Sequence, residues 1–229
     1  MYKPFTKSKL TIIAAVASTS LLLAGSVLAK PNKNADKVPG PPGMDNIVEL
    51  AAANGNFTYL LEAAGCFTDE ETGYNPVVEL LTGTDDLTLF APIDQAFINL
   101  QETLIGLWEL VDDEGEPLEP SPSLTCAVDD LYGDGTLFTI LAYHLTDGRR
   151  FSNSVFNKNN AKDIEMLGGG YITSTTTPSA TLITNIYQMV GPVFAEDGVT
   201  PLINIKASNG VIHVIDEVML PIDPTPPVE

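Results

Sequence analysis

The sequence predicts an α+β domain whose helices lie mostly in its first half and whose strands lie mostly in its second. Apolar residues recur at spacings of three and four between residues 47 and 107, and β-branched runs parted by Gly, Pro and Asn follow residue 160. No internal repeat is present. Helices followed by strands, without regular alternation, argue for α+β architecture and against a parallel doubly wound sheet.

Along the chain, Lys3, Lys7 and Lys9 precede an apolar run from Leu10 to Leu28 that ends in small residues at Val27-Leu28-Ala29. This is the layout of a secretory signal peptide, expected over residues 1–29; a retained membrane anchor is the alternative reading. Residues 30–43 (KPNKNADKVPGPPG) are too rich in Pro, Gly, Asn and Lys to pack and read as a flexible linker. One domain is expected over residues 44–222, within the usual size range, and a disordered tail over residues 223–229.

Within the domain, Ile47, Val48, Leu50 and Ala51, then Phe57, Leu60 and Leu61, predict two short helices parted near Asn54-Gly55, with Asp45 or Asn46 as cap. Asp86 to Pro92 (DLTLFAP) changes to a period of two and stops at proline, as a short strand does. Asp94 then precedes the stripe Ala96, Phe97, Leu100, Leu104 and Leu107, a third helix. From Glu109 to Asp134 nine carboxylates crowd around Pro117, Pro120 and Pro122, and an exposed loop is expected. Leu137 to His144 reads as helix. Residues 164–167, 171–177, 180–187, 202–207 and 211–218 read as successive strands.

The charge balance restricts the partners. The 229-residue chain has 11 basic and 30 acidic residues, a net charge of −19. Cleavage after Ala29 would remove three bases and no acid, leaving −22. Phosphate contacts need clustered Lys and Arg, so nucleic-acid binding is not expected. Such a surface attracts cations, and it would suit a saline habitat or simply keep an exported protein soluble.

Three segments carry a family resemblance. Thr88 to Phe97 (TLFAPIDQAF), the Tyr143-His144 pair, and Ala207 to Pro221 (ASNGVIHVIDEVMLP) resemble, in this order and spacing, the conserved motifs of the fasciclin (FAS1) family. The resemblance spans roughly residues 45–221 and implies a β-wedge of two small sheets flanked by several helices. It also implies a role in adhesion, matrix assembly or surface interaction outside the cell, without catalysis. Asp94, Tyr143, His144, Asn209 and His213 are the positions those motifs single out. Phe90, Phe97, Val211, Val214 and Val218 read as core, and Pro92 and Gly210 as backbone punctuation.

Against the family pattern, residues 66–76 and 109–134 read as insertions, and each holds one of the only two cysteines, Cys66 and Cys126. In an exported chain such a pair is expected to form a disulfide; the rival is two buried thiols.

Candidate chemistry is sparse. His144 and His213 are the only histidines, and packed, hydrogen-bonded imidazoles are expected over a general base or metal pair, because no nucleophile accompanies them. No nucleophile elbow, phosphate-binding loop or zinc-protease motif occurs. Gly168-Gly169-Gly170 reads as a turn. Asp112, Asp113, Glu114 and Glu116, with Asp129, Asp130 and Asp134, are a candidate calcium cluster without the ligand spacing of an EF-hand. A solvated charge run is the default reading. Arg149-Arg150 reads as a helix C-terminal charge pair or a contact for a partner carboxylate. Asn56-Phe57-Thr58 fits a glycosylation acceptor.

The sequence thus supports a secreted or, in a Gram-negative host, periplasmic interaction protein without cofactor or catalytic activity. Its expected partner is an extracellular protein or a matrix or cell-surface polymer. The alternative is a carrier of a carotenoid- or lipid-like molecule, which predicts a coloured purified protein or an apolar groove of several hundred cubic ångströms. A secreted hydrolase is a third reading.

Overall fold

The computed structural model describes residues 45–156, 162–176, 181–184 and 188–225. The expected signal peptide (1–29) and linker (30–43) lie outside them, as do residues 177, 180 and 185–187 of the expected strands.

Helix α1 (Ile47–Asn54) starts at a capping box: Glu49 N–H donates to Asn46 Oδ1, and Asn46 N–H donates to the Glu49 carboxylate. Gly55, at φ 76°, ends it as expected. Helix α2 (Thr58–Gly65) has no cap from its own neighbours. Helix α3 (Pro76–Thr82) has Pro76 at its first position, and Asn75 Oδ1 accepts from Val77 and Val78 N–H. The periodicity did not predict α3, whose seven residues are too few to set a pattern. Strand β1 (Leu87–Pro92) and helix α4 (Asp94–Trp108) fall where the sequence places them.

The expected loop from Glu109 to Asp134 requires correction. Its first part is a tight turn, closed by the Val111–Pro117 bridge and by Glu114 and Glu116 N–H donating to the Asp112 carboxylate. Its second part is a 3-10 helix (Pro122–Ala127) and helix α5 (Val128–Tyr132), and Leu110, Thr125 and Ala127 are buried. Leu124, Ala127, Val128 and Leu131 form a short helical stripe that the surrounding carboxylates and prolines mask. Buried Gln101 of α4 fastens the segment: its amide donates to Ser121 O and Thr125 Oγ1 and accepts from Ser121 N–H.

Helix α6 (Thr136–Ala142) stops before the expected end at His144, because the chain turns there into an unforeseen edge strand, β2 (Leu145–Asp147). A single-turn helix, α7 (Ser152–Val155), follows. The remaining strands are β3 (Asp163–Glu165), β4 (Tyr171–Thr176), β5 (Thr181–Thr184), β6 (Met189–Val190), β7 (Ile205–Ala207) and β8 (Gly210–Ile215), shorter than the runs suggested.

These strands form two four-stranded sheets. The first has the order β2-β1-β8-β7, with β1 parallel to β8 and antiparallel to β2. The second, β3-β4-β5-β6, is wholly antiparallel. All six residues of β1 and of β8 are buried, because both faces of the central pair are covered. Leu87, Leu89, Ala91, Ile212 and Val214 join the core formed with helices α1 to α4 and α6. Phe90 and Ile215 face the other way, into a second core with Val155, Ile164, Ile172 and Val190. The architecture is the expected α+β arrangement of two small sheets flanked by helices.

Gly210 is required where β8 starts: a Cβ there would lie 2.3 Å from Leu87 O and 2.8 Å from Ile47 Cδ1. The expected disulfide is present, joining Cys66 at the end of α2 to Cys126 of the 3-10 helix across 60 residues. Closing a loop of that length lowers the entropy of the unfolded chain enough to stabilise the fold by about 4 kcal/mol.

Candidate functional site

The motif positions gather around the β1–β8 pair, and each motif side chain described below makes at least one bond that ties two elements together. Asp94, in the first turn of α4, accepts the Tyr59 N–H at 2.9 Å, and its own N–H donates to Asn56 O. The carboxylate is the cap that α2 lacks locally, supplied from 35 residues away.

Asn209, buried in the turn between β7 and β8, accepts the Ile47 N–H on Oδ1 at 3.0 Å and donates from Nδ2 to Leu81 O and Gly83 O. One amide thus caps the start of α1 and the end of α3. Its backbone carbonyl accepts the Leu87 N–H, fixing the start of β1.

Tyr143 is buried, with its hydroxyl donating to Tyr171 O at 3.0 Å, which pins α6 to β4. Behind it, the Gly168 backbone lies so close that a Cβ would be 2.5 Å from Thr139 O. His144 is fully enclosed. Its Nδ1 lies 2.7 Å from Ile140 O and its Nε2 accepts the Met219 N–H at 2.9 Å. Since a backbone amide can only donate, Nε2 is the acceptor and Nδ1–H the donor. The ring is neutral and joins α6 to the segment after β8. Burial, only partly offset by the bond to Ile140 O, lowers its pKa to about 4.

His213 has the opposite tautomer. Nε2–H donates to Arg150 O at 2.8 Å and Nδ1 accepts the Asn204 N–H at 3.4 Å. The ring stacks on Phe90 and meets Phe156 edge-on. Burial again dominates, opposed by the bond to Arg150 O, and lowers its pKa to about 4. Both nitrogens of each imidazole are occupied, so neither ring presents a base to a substrate.

Arg149 and Arg150 do not end a helix; β2 separates them from α6. The Arg149 guanidinium pairs with Asp86 at 2.8 Å and donates to Ala207, Ser208 and Gly210 carbonyls, holding the β7–β8 turn against the start of β1. Arg150 Nε donates to Asp147 O.

In the acidic segment, Asp129 accepts N–H bonds from Gly135 and Leu137 on its two carboxylate oxygens and so supplies the N-terminal cap of α6. No group of three His, Cys, Asp or Glu side chains able to hold a metal occurs among the described residues. Asn56 and Thr58 of the glycosylation sequon are exposed at the α1–α2 junction. Of the expected C-terminal tail, residues 223–225 are described, and Tyr132 OH, itself accepting from Trp108 Nε1, donates to Pro224 O.

Sequence reasoning missed two features. Asn204, at φ 60°, bonds through its side chain to both the N–H and the hydroxyl of Ser152, capping α7, and through its N–H to His213. Its left-handed backbone, which Asn tolerates, is the only signal, and it is invisible in a lone sequence. The second is an apolar cavity of about 100 Å³ between α1, α2 and α3, floored by β1, α6 and His144.

Comparison with known proteins agrees with this geometry. No curated protein gives a significant sequence match. Among solved structures, a FAS1 domain pair from the insect cell adhesion molecule Fasciclin I superposes with a TM-score of 0.54 at 13% identity, over 79% of this chain and 51% of that one. At that identity the likeness is one of fold, and this chain spans about half the length of that structure. The protein therefore has the FAS1 fold. Residues 122–221 match the family model described as Fasciclin domain, a span that includes the Tyr143-His144 pair and the segment around β8. The Fasciclin-domain match over residues 122–221 thus lies on a chain with the FAS1 fold.

Proposed function

We propose that this protein is an exported, non-catalytic interaction module that mediates adhesion to an extracellular protein or a matrix or cell-surface polymer. The observation that carries the reading is that the motif residues are spent on the fold. Asp94, Asn209, His144 and His213 direct their side-chain polar atoms to backbone groups of other segments. What the family motifs secure is a scaffold, and the partner-binding chemistry belongs to the helices and loops outside them. The amino-terminal segment and the disulfide support export, since disulfides persist in oxidising compartments. No helix among the described residues is long and apolar enough to cross a membrane.

The carrier alternative draws on the cavity, but about 100 Å³ is far below the roughly 300–1,000 Å³ that encloses a drug-sized ligand. The test is retention of beads coated with the purified protein on cells and matrix of its native host, beside an absorbance spectrum and an organic extract. Retention above that of albumin-coated beads is expected. Retention equal to that control, with a stoichiometric pigment or lipid in the extract, would replace adhesion with carriage.

A further inference from the structure

We propose that the cavity between α1, α2 and α3 is the anchor pocket of the partner-binding surface, and that it takes one aliphatic side chain from a basic segment of a polypeptide partner. This deepens the adhesion reading and rests on it.

The cavity sets the size and polarity of the anchor. An apolar cavity of roughly 150 Å³ holds one benzene, so about 100 Å³ holds a group of isobutyl size. Its lining is aliphatic, and the one polar side chain, His144, has both nitrogens bonded within the protein. Nothing there can pair with a polar group, so a polar anchor would lose its hydration without compensation. Val48, Leu61, Val78 and Leu81 line it while only half-buried, and Gly65 beside them is exposed. These residues form the way in from solvent. A single aliphatic chain entering a dry pocket amid a polar surround is the arrangement of an interface hot spot.

Charge sets the rest of the partner. Each of the three helices places an exposed glutamate directly after a mouth residue: Glu49 after Val48, Glu62 after Leu61 and Glu79 after Val78. From Asp45 to Gly148 the chain has 21 carboxylates and neither Lys nor Arg. Every side-chain charge supplied by the elements around the mouth is therefore negative. An acidic or phosphorylated partner would be repelled at encounter, whereas lysines or arginines beside the anchor would be steered to the surface and paired there.

The experiment uses fluorescence anisotropy of the full chain with a labelled seven-residue peptide, three lysines on either side of a central leucine. Controls are the same peptide with serine at the centre and one with glutamates for the lysines. Val78→Trp, at the half-buried mouth, is the blocking variant, and Glu62→Lys with Glu79→Lys is the charge variant; thermal melting checks that both fold. The lysine–leucine peptide is expected to bind, with affinity falling as salt rises. The serine peptide and Val78→Trp should each weaken it at least about tenfold, the effect of losing one buried aliphatic side chain. The charge variant should weaken it at low salt, and the glutamate peptide should not bind.

Equal affinity for the leucine and serine peptides would reduce the effect to bulk charge attraction and overturn the proposal. So would unchanged affinity in a folded Val78→Trp protein, or no peptide binding at all. Self-association in sedimentation, abolished by Val78→Trp, would assign the pocket to a second copy instead. If bead retention survives Val78→Trp, the pocket assignment fails while the adhesion reading stands. If wild-type beads are not retained, the adhesion reading fails whatever the peptide does.

Discussion

Lowering the pH from 7 to 4.5 is expected to destabilise the protein by about 5 kcal/mol through His144 and His213 alone. Each imidazole has a folded pKa of about 4 against an ordinary 6.5. Because the folded value is the lower one, the unfolded chain takes up protons first. Their stabilisation is complete above pH 6.5 and is lost as the pH falls toward 4. One pH unit of separation is worth 1.36 kcal/mol. Allowing for partial protonation of the folded rings at pH 4.5, the loss is about 2–3 kcal/mol for each. A domain of this size is stable by about 5–15 kcal/mol, so the change should be plain in the urea midpoint. Glu217 works in the opposite direction, since burial and then the neighbouring Asp216 charge push its pKa up. The histidines must therefore be observed directly. The chain contains only two, so the imidazole nitrogen NMR spectrum has two sets of signals. At pH 5 His144 should still be the Nδ1–H tautomer and His213 the Nε2–H tautomer. His213→Gln, which keeps a donor near Arg150 O without titrating, should remove about half of the histidine-linked pH dependence. Either ring titrating near 6.5 in the folded protein would refute the reasoning.

Three further outcomes follow from the packing. Cys66→Ser with Cys126→Ser should lower stability by about 4 kcal/mol, read from urea unfolding, while circular dichroism keeps its native shape; loss below about 1 kcal/mol would refute the loop-closure argument. Asn209→Ala strands the Ile47 N–H and the Leu81 carbonyl at once and should cost about 2–4 kcal/mol, with hydrogen exchange rising at Ile47. Gly210→Ala drives a methyl group into Leu87 O and should cost at least about 3 kcal/mol, whereas Gly115→Ala, with open space around its Cβ and a left-handed backbone, should cost only about 1 kcal/mol by thermal melting.

What the sequence disclosed and what it withheld divide along a physical line. Local signals were legible: the Asn46 cap, the stop at Gly55, the β-period of residues 87–92 and the burial of Phe90, Phe97 and Val214 all follow from neighbours within a few residues. The cysteine pair was legible from number and compartment. Elements whose stability comes from distant partners were not. Strand β2 has three residues and exists because β1 offers it an edge. The 3-10 helix and α5 look like loop because their stripe is short and acidic, yet Gln101 and the disulfide hold them against α4 and α2. The motif residues were found by resemblance alone, and their roles needed the structure. Asp94 precedes the stripe of its own helix but caps α2, and Arg149 reads as a helix-end charge but locks a turn 58 residues away.

The same distance between partners bears on how the protein is made. Strands β1 and β8 pair in parallel although about 120 residues separate them, Asn209 bonds to Leu81 across 128 residues, and the bonds of Arg149 to Gly210 and of Met219 to His144 close across 61 and 75. Folding therefore cannot be completed until the last fifth of the domain is available, and non-local pairing of this kind forms slowly. For a chain read as exported, late closure is an advantage: the N-terminal segment can be engaged while the central sheet still lacks its parallel partner. The Cys66–Cys126 bond lies wholly within the earlier part of the chain and involves neither β8 nor its contacts. In an oxidising compartment it can form before closure, because both cysteines precede β8 by more than 80 residues.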